Sequence, residues 1–347
     1  MKRPSLARIF AAMDTPTQIR PQAAAPDLGT RPRAEAAISV RGLRKSYGTV
    51  EAVRGIDLDV PHGEIFAFLG PNGAGKTTTV EILEGFQAAD GGEVAVLGAD
   101  PARAPRGWRE RVGIVLQESP GEIELTVREC LEFYAGLYTA PRGVDETLAQ
   151  VGLGGAGEQK AMELSGGQRR RLDVALALIG DPELLFLDEP TTGFDPAARR
   201  EAWEMLSGLR ALGKTIFLTT HYMEEAERLA DRIAVIADGE IVDVGTPRTI
   251  GNRDHADTEI SFTLPEGLRP RDLPADLLAL LDGPADGREV LLRSVAPLPD
   301  LQRLGAWLDG RGAEITDLEV LRPSLEEVYL DLTATPQGAA TNGKEPV

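Results

Sequence analysis

Cysteine occurs once in this sequence, at position 130, and histidine three times, at positions 62, 221 and 255. A single cysteine excludes an intrachain disulfide and any metal cluster built on several thiolates, and it suits a reducing compartment. Lying on a helical pattern, Cys130 is expected to behave as a small buried apolar side chain. Long apolar runs are also lacking. Candidates such as residues 174–179 are core-sized, far short of the ~18 to 20 residues that a membrane-spanning helix needs, so the chain is not expected to cross a membrane. Basic residues are the minority: 37 Lys and Arg stand against 55 Asp and Glu, a formal charge of -18. That balance argues against a general affinity for nucleic acid or anionic lipid, and any phosphate contact must be local.

What is present is ordinary globular text: 347 residues, 42% hydrophobic and 27% charged, enough for two domains and some tail. Residues 1–36 are rich in Ala, Pro and Arg without a sustained apolar period and are expected to be disordered. The stretch from Leu6 to Met13 is interrupted by Arg8 and too short for a signal-peptide core, and Met13 is an alternative start. From residue 38 the pattern changes. Strand-like runs at 38–40, 64–69, 184–187 and 215–218 alternate with helical patterns at 76–83, 168–178 and 197–212, which implies a mainly parallel α/β sheet covered on both faces. Residues 232–236 and 240–244, joined through Ala237, Asp238 and Gly239, have the form of a hairpin.

A second pattern follows residue 252, with strands expected at 259–264, 288–295 and 313–321 and helices at 274–281, 299–308 and 325–332. This is enough for a small α/β domain over residues 255–335, ahead of a loose tail at 336–347. Residues 255–347 hold 17 acidic and 8 basic side chains, about half of the net charge.

Three segments carry chemistry. Gly70-Pro71-Asn72-Gly73-Ala74-Gly75-Lys76-Thr77 fits the phosphate-binding pattern G-x-x-x-x-G-K-[ST], after a buried strand and before a helix. Its glycines let successive backbone N–H groups turn inward at a helix N-terminus, where the dipole also favours an anion. Lys76 would reach the β- and γ-phosphates and the Thr77 hydroxyl would ligate Mg2+. The apolar run from Leu184 to Leu187 ends in Asp188 and Glu189, whose side chains point to opposite faces; Asp188 would hold Mg2+ through water and Glu189, displaced from the metal, would polarise the attacking water. Leu164-Ser165-Gly166-Gly167-Gln168 opens another helix as a second anion-binding N-terminus. One phosphate loop has no local use for a second clamp, which suggests that this one serves a nucleotide held by another copy.

With these motifs in this order the chain resembles an ATP-binding cassette subunit, and the resemblance covers about residues 37–250. It implies a phosphate-loop NTPase core (37–252) with antiparallel β and α-helical subdomains, the helical one at about 119–179, binding ATP and Mg2+. In such a subunit Ser165, Gly166, Gly167, Gln168 and Asp195 contact a nucleotide held by residues 70–78, Thr78 included, of a second copy. The resemblance places Tyr47 against adenine; the lesser alternative is a strand aromatic packed on the core. It gives Gln117 a place in Mg2+ sensing, and His221 a place against the γ-phosphate, ordering Glu189 and its water. His62 and His255 receive no role. Residues 118–125 would form part of a groove that accepts a membrane partner, or be an ordinary solvated loop.

Finer features, namely Ile82-Leu83-Glu84-Gly85, the Thr192-Gly193-Phe194-Asp195 loop and Ser324-Leu325-Glu326-Glu327-Val328-Tyr329-Leu330, resemble the daunorubicin-resistance type, partners of type-2 export permeases. That implies a homodimeric ATPase on the inner face of the cell membrane. It would be attached to an integral membrane permease, would export a drug-like or lipid-like compound, and would have no nucleic-acid partner. Two other readings share the motifs: an importer subunit, and a soluble cassette protein acting on ribosomes or DNA. The single cassette, the lack of sustained heptads and the acidic balance disfavour the second.

Overall fold

The computed structural model describes residues 36–115, 124–253 and 256–334. The expectations for the N-terminal extension, Gln117, most of the 118–125 groove, His255 and the tail lie outside them. The described chain forms two compact units. The first contains residues up to His221 together with Asp238–Glu240, and the second contains Tyr222–Ala237 and the residues from Ile241 onward.

In the first unit, β1 (Ile38–Tyr47), β2 (Val50–Val60) and β4 (Gly91–Val96) make an antiparallel sheet in the order β2-β1-β4. Alternation drives it: Ile38, Val40 and Leu43 on β1 and Val53, Ile56, Leu58 and Val60 on β2 are buried while their neighbours face outward. At Gly92 the backbone takes φ +89, and a Cβ there would lie 2.4 Å from the Gly42 carbonyl oxygen, so only glycine fits this crossing.

The strands β3 (Ile65–Leu69), β5 (Val112–Val115), β6 (Leu184–Asp188) and β7 (Thr215–Thr219) run parallel in the order β5-β6-β7-β3. Their continuous apolar runs are buried throughout β3 and β7, as a sheet covered on both faces requires. Phe217 sits centrally, its ring centroid 5.6 Å from those of Phe66, Phe68 and Phe186; each such pair contributes about 0.5–1.5 kcal/mol beyond area burial. The helix α1 (Lys76–Leu83) follows β3, and α2 (Arg106–Arg109) buries Trp108 before β5.

Two further helices, α3 (Val127–Ala135) and α4 (Val144–Gln150), pack against α5 (Gly166–Leu178) as a helical subdomain. Thr126 and Glu129 close a reciprocal capping box on α3. Cys130 is buried on that helix as expected, and burial pushes its thiol pKa up, which keeps it protonated and unreactive. The helix α6 (Pro196–Ala211) precedes β7.

The second unit begins with α7 (Met223–Leu229), β8 (Arg232–Ala237) and the neighbouring β9 (Glu240–Gly245), reversed through Asp238 and Gly239, both at positive φ. Beyond them β10 (Thr258–Thr263), β11 (Glu289–Ser294) and β12 (Thr316–Leu321) form an antiparallel sheet in the order β11-β10-β12. Its core joins Ile260, Phe262, Val290 and Leu292 to Leu304, Trp307 and Leu308 of α9 (Pro297–Asp309). The helix expected at 274–281 is a single turn, α8 (Ala275–Leu278). The reason is that residues 280–282 turn to run along β11: Leu281 bridges Leu292, Asp282 N–H donates to Leu291, and Arg293 N–H donates to Leu280.

The final helix, α10 (Leu325–Thr333), starts from a Ser324/Glu327 capping box and packs on α7, β8 and the turn Ile250–Asn252. Its seat is tight, since a Cβ on Gly251 would lie 2.2 Å from Val328 Cγ1. The second compact unit starts at Tyr222. No helix among the described residues is long and apolar enough to cross a membrane.

Candidate active site

The loop Gly70–Gly75 joins the end of β3 to α1. Gly73 (φ 83) and Gly75 (φ 100) take left-handed conformations, and Gly75 caps α1 with no side-chain hydrogen bond. The helix start therefore presents backbone donors unclaimed by a capping side chain, on a loop whose Pro71, Asn72 and Gly73 are exposed. Ala74 is buried, and the loop is braced there by Gly239 N–H, which donates to Ala74 O at 3.0 Å. Lys76 Nζ lies across the loop and donates to Gly70 O at 2.5 Å and Pro71 O at 3.0 Å. Burial pushes its ammonium pKa down, opposed by the negative charges of Glu189 and Asp188. Thr77 is exposed and Thr78 half-buried.

Asp188 ends β6, and its register partner on β7 is Thr219. The Thr219 hydroxyl donates to Asp188 Oδ1 at 2.5 Å. Glu189, the next residue, turns back with φ 49, a conformation that non-glycine residues hold only when their surroundings enforce it. Its N–H donates to Thr219 O at 3.0 Å. Its carboxylate is held on two sides: His221 Nδ1 lies 3.2 Å from Oε1, and the Thr192 hydroxyl donates to Oε2 at 3.1 Å. His221 is half exposed and Glu189 about a quarter exposed. The structure thus brings Lys76, Asp188, Glu189 and His221 to one end of the parallel sheet, and it adds Thr192 and Thr219, to which the sequence reading assigned no role.

The other expected residues have local partners. Ser165 caps α5: its Oγ accepts from Gln168 N–H at 3.3 Å, and Gln168 Oε1 accepts from Ser165 N–H at 3.1 Å. A hydroxyl that accepts in a cap retains a proton to donate outward. Gly166 would meet nothing within 4 Å if given a Cβ, and Gly167 only an ordinary contact with Ala198 at 3.7 Å. Asp195 caps α6, its Oδ1 accepting from Ala197 and Ala198 N–H at 2.9 Å each, with Pro196 at the first helical position. The Tyr47 ring is 37% exposed, anchored by its hydroxyl to Gln87 Oε1 at 2.5 Å, with Lys45 Nζ 5.8 Å from its centroid. It is not a core aromatic.

A phosphate loop at the end of β3, paired acids at the end of β6 two places away in the same parallel sheet, and a helix opened by Ser165, Gly166, Gly167 and Gln168 together mark an ATPase of the cassette class. Residues 53–192 match the family model described as ABC transporter. Residues 258–324 match the C-terminal domain of ABC transporter domain-containing protein-like proteins.

Daunorubicin resistance ATP-binding protein DrrA2 of Streptomyces coeruleorubidus is 39% identical over 306 residues, 86% of this chain and 95% of that protein. Nod factor export ATP-binding protein I of Paraburkholderia xenovorans is 41% identical over 306 residues, 86% of this chain and 97% of its own. Among solved structures, an ATP-binding subunit of an ABC transporter superposes with a TM-score of 0.56 at 26% identity, covering 62% of this chain and 91% of that one. The chain belongs to the family of ABC transporter ATP-binding proteins and carries its ATPase domain.

Proposed function

We propose that this chain is the ATP-hydrolysing subunit of an exporter. It drives a drug-like or lipid-like hydrophobic compound through a separate membrane permease, from the cytoplasmic face, as a head-to-tail pair of copies. The observation that carries the pairing is the start of α5. Two glycines stand there, at the first two helical positions, yet neither is needed to avoid a neighbour in its own chain. Absent side chains beside an exposed capping serine suit close approach by a phosphate from outside, so Ser165, Gly166, Gly167 and Gln168 would face the nucleotide held by residues 70–78 of the other copy. Asp195, fixed as a cap, would stand at the same interface, and Tyr47 would offer its exposed ring to adenine.

Within one site the roles follow from chemistry. Lys76 offsets charge on the β- and γ-phosphates. Glu189 accepts hydrogen bonding from the attacking water and receives its proton, while His221 and Thr192 aim the carboxylate. A hydroxyl and a carboxylate, Thr77 and Asp188, make an oxygen donor set of the kind Mg2+ prefers, with Gln117 as a further ligand; bound there, the ion supplies charge neutralisation on the phosphates. The cassette would span residues 37–252, with the helical subdomain at about 119–179, and residues 255–335 would be an accessory domain supporting the dimer or its coupling to the permease. Chelating Mg2+ with EDTA is expected to stop ATP turnover by the full chain and readdition to restore it. Turnover that persists undiminished in EDTA would overturn the metal assignment.

A further inference from the structure

Arg169, Arg170 and Arg171 follow one another on α5 and diverge. Arg169 donates to Met162 O and Arg171 pairs with Glu201. Arg170 reaches the end of β6, where its guanidinium donates to three consecutive carbonyls: Nη2 to Asp188 O at 2.6 Å and to Glu189 O at 3.3 Å, and Nε to Pro190 O at 3.2 Å. Asp173, one turn further along α5, stands 3.9 Å from Nη1, and the Arg170 and Asp173 side chains are only 11% and 10% exposed.

Three carbonyls converge here because Glu189 takes its left-handed conformation, which turns the chain sharply after the strand. A turn of that kind persists only where its surroundings over-determine it. A planar fork with several donors at fixed angles can serve three acceptors at once, whereas a lysine ammonium is a single point on a flexible stem.

We propose that Arg170 is the positioning residue that holds Glu189 in place, and that through it the helix opened by Ser165 and the turn carrying Glu189 move as one piece. The second clause rests on the proposed function, in which Ser165 contacts the partner copy's nucleotide. Any displacement of α5 by that contact reaches the Glu189 carboxylate of the same chain through the three carbonyl bonds, and the influence is reciprocal in binding free energy.

The test uses the full chain with Arg170→Met, Arg170→Lys, Glu189→Gln and the double variant Arg170→Met/Glu189→Gln. Arg170→Met is expected to lower kcat at least about tenfold while the Kd for Mg-ATP changes by less than about threefold, with Arg170→Lys intermediate. Hydrogen exchange at the amides of Glu189 and Thr192 should quicken in Arg170→Met while the amides of β6 stay protected. In the Glu189→Gln background, Arg170→Met should lower the residual rate no further, because the group it positions is already gone.

Parent-like turnover and exchange in Arg170→Met, or losses that multiply in the double variant, would overturn the proposal. If the methionine variant does not fold, Arg170→Lys decides: unchanged rate and unchanged exchange refute it. A parent-like rate in Glu189→Gln alone would instead sink the catalytic role of Glu189, and the exchange readout would still report whether Arg170 holds the turn.

Discussion

Glu189→Gln is expected to bind Mg-ATP about as well as the parent chain, to hydrolyse it about 10²- to 10⁴-fold more slowly, the usual contribution of a positioned proton acceptor, and to accumulate as a dimer at saturating Mg-ATP. The amide keeps the size of the carboxylate and can still accept from Thr192, which donates to Oε2 at 3.1 Å, so the turn held by Thr219 is preserved. What is lost is the negative oxygen beside His221 Nδ1, and with it the capacity to take a proton from water. Binding closes the pair and hydrolysis reopens it in the proposed cycle, so blocking hydrolysis leaves the closed form. Single-turnover kinetics and light scattering on a sizing column check both halves. A monomer under saturating Mg-ATP would count against the paired site, and a parent-like rate against the role of Glu189.

Lys76→Ala is expected to fail earlier in the cycle. Its ammonium bridges two loop carbonyls and lies within the field of Asp188 and Glu189. Removing it takes away the charged donor that would meet the phosphates and a positive charge to which Glu189 and Asp188 are coupled. Hydrogen bonds to charged groups contribute about 1.5–3 kcal/mol, so ATP affinity should fall by about 10- to 100-fold and turnover with it. Equilibrium titration with ATP measures this directly, and retained tight binding would refute the clamp. The two variants thus separate: one changes rate with binding intact, the other changes binding.

The candidate site is legible in the sequence wherever its parts are contiguous. Gly70 to Thr77, Asp188 with Glu189, and Ser165 to Gln168 each state their chemistry in a few residues, and the strand or helix on either side is local in origin. The supporting residues were not legible in this way. Thr219 meets Asp188 only because β6 and β7 pair in one particular register. Arg170 sits within a run of three arginines that sequence alone cannot orient. Asp195, expected at an interface, also shows a local role, since Asp followed by Pro and two Ala is a helix start. In the C-terminal part, the short α8 yields to strand-like pairing with β11, a tertiary override of helical periodicity. The return of α10 to α7 and β8 depends on a glycine at 251, a contact across more than 70 residues of chain.

The central claim, that ATP chemistry in this chain drives a membrane permease, is tested most directly by affinity-tagging the Glu189→Gln protein in its own host, extracting membranes in mild detergent with Mg-ATP, and identifying by mass spectrometry what co-purifies. A multi-span membrane protein in stoichiometric amount is the predicted result. Ribosomal proteins or DNA-repair factors in its place would leave the ATP chemistry standing and contradict the transport function.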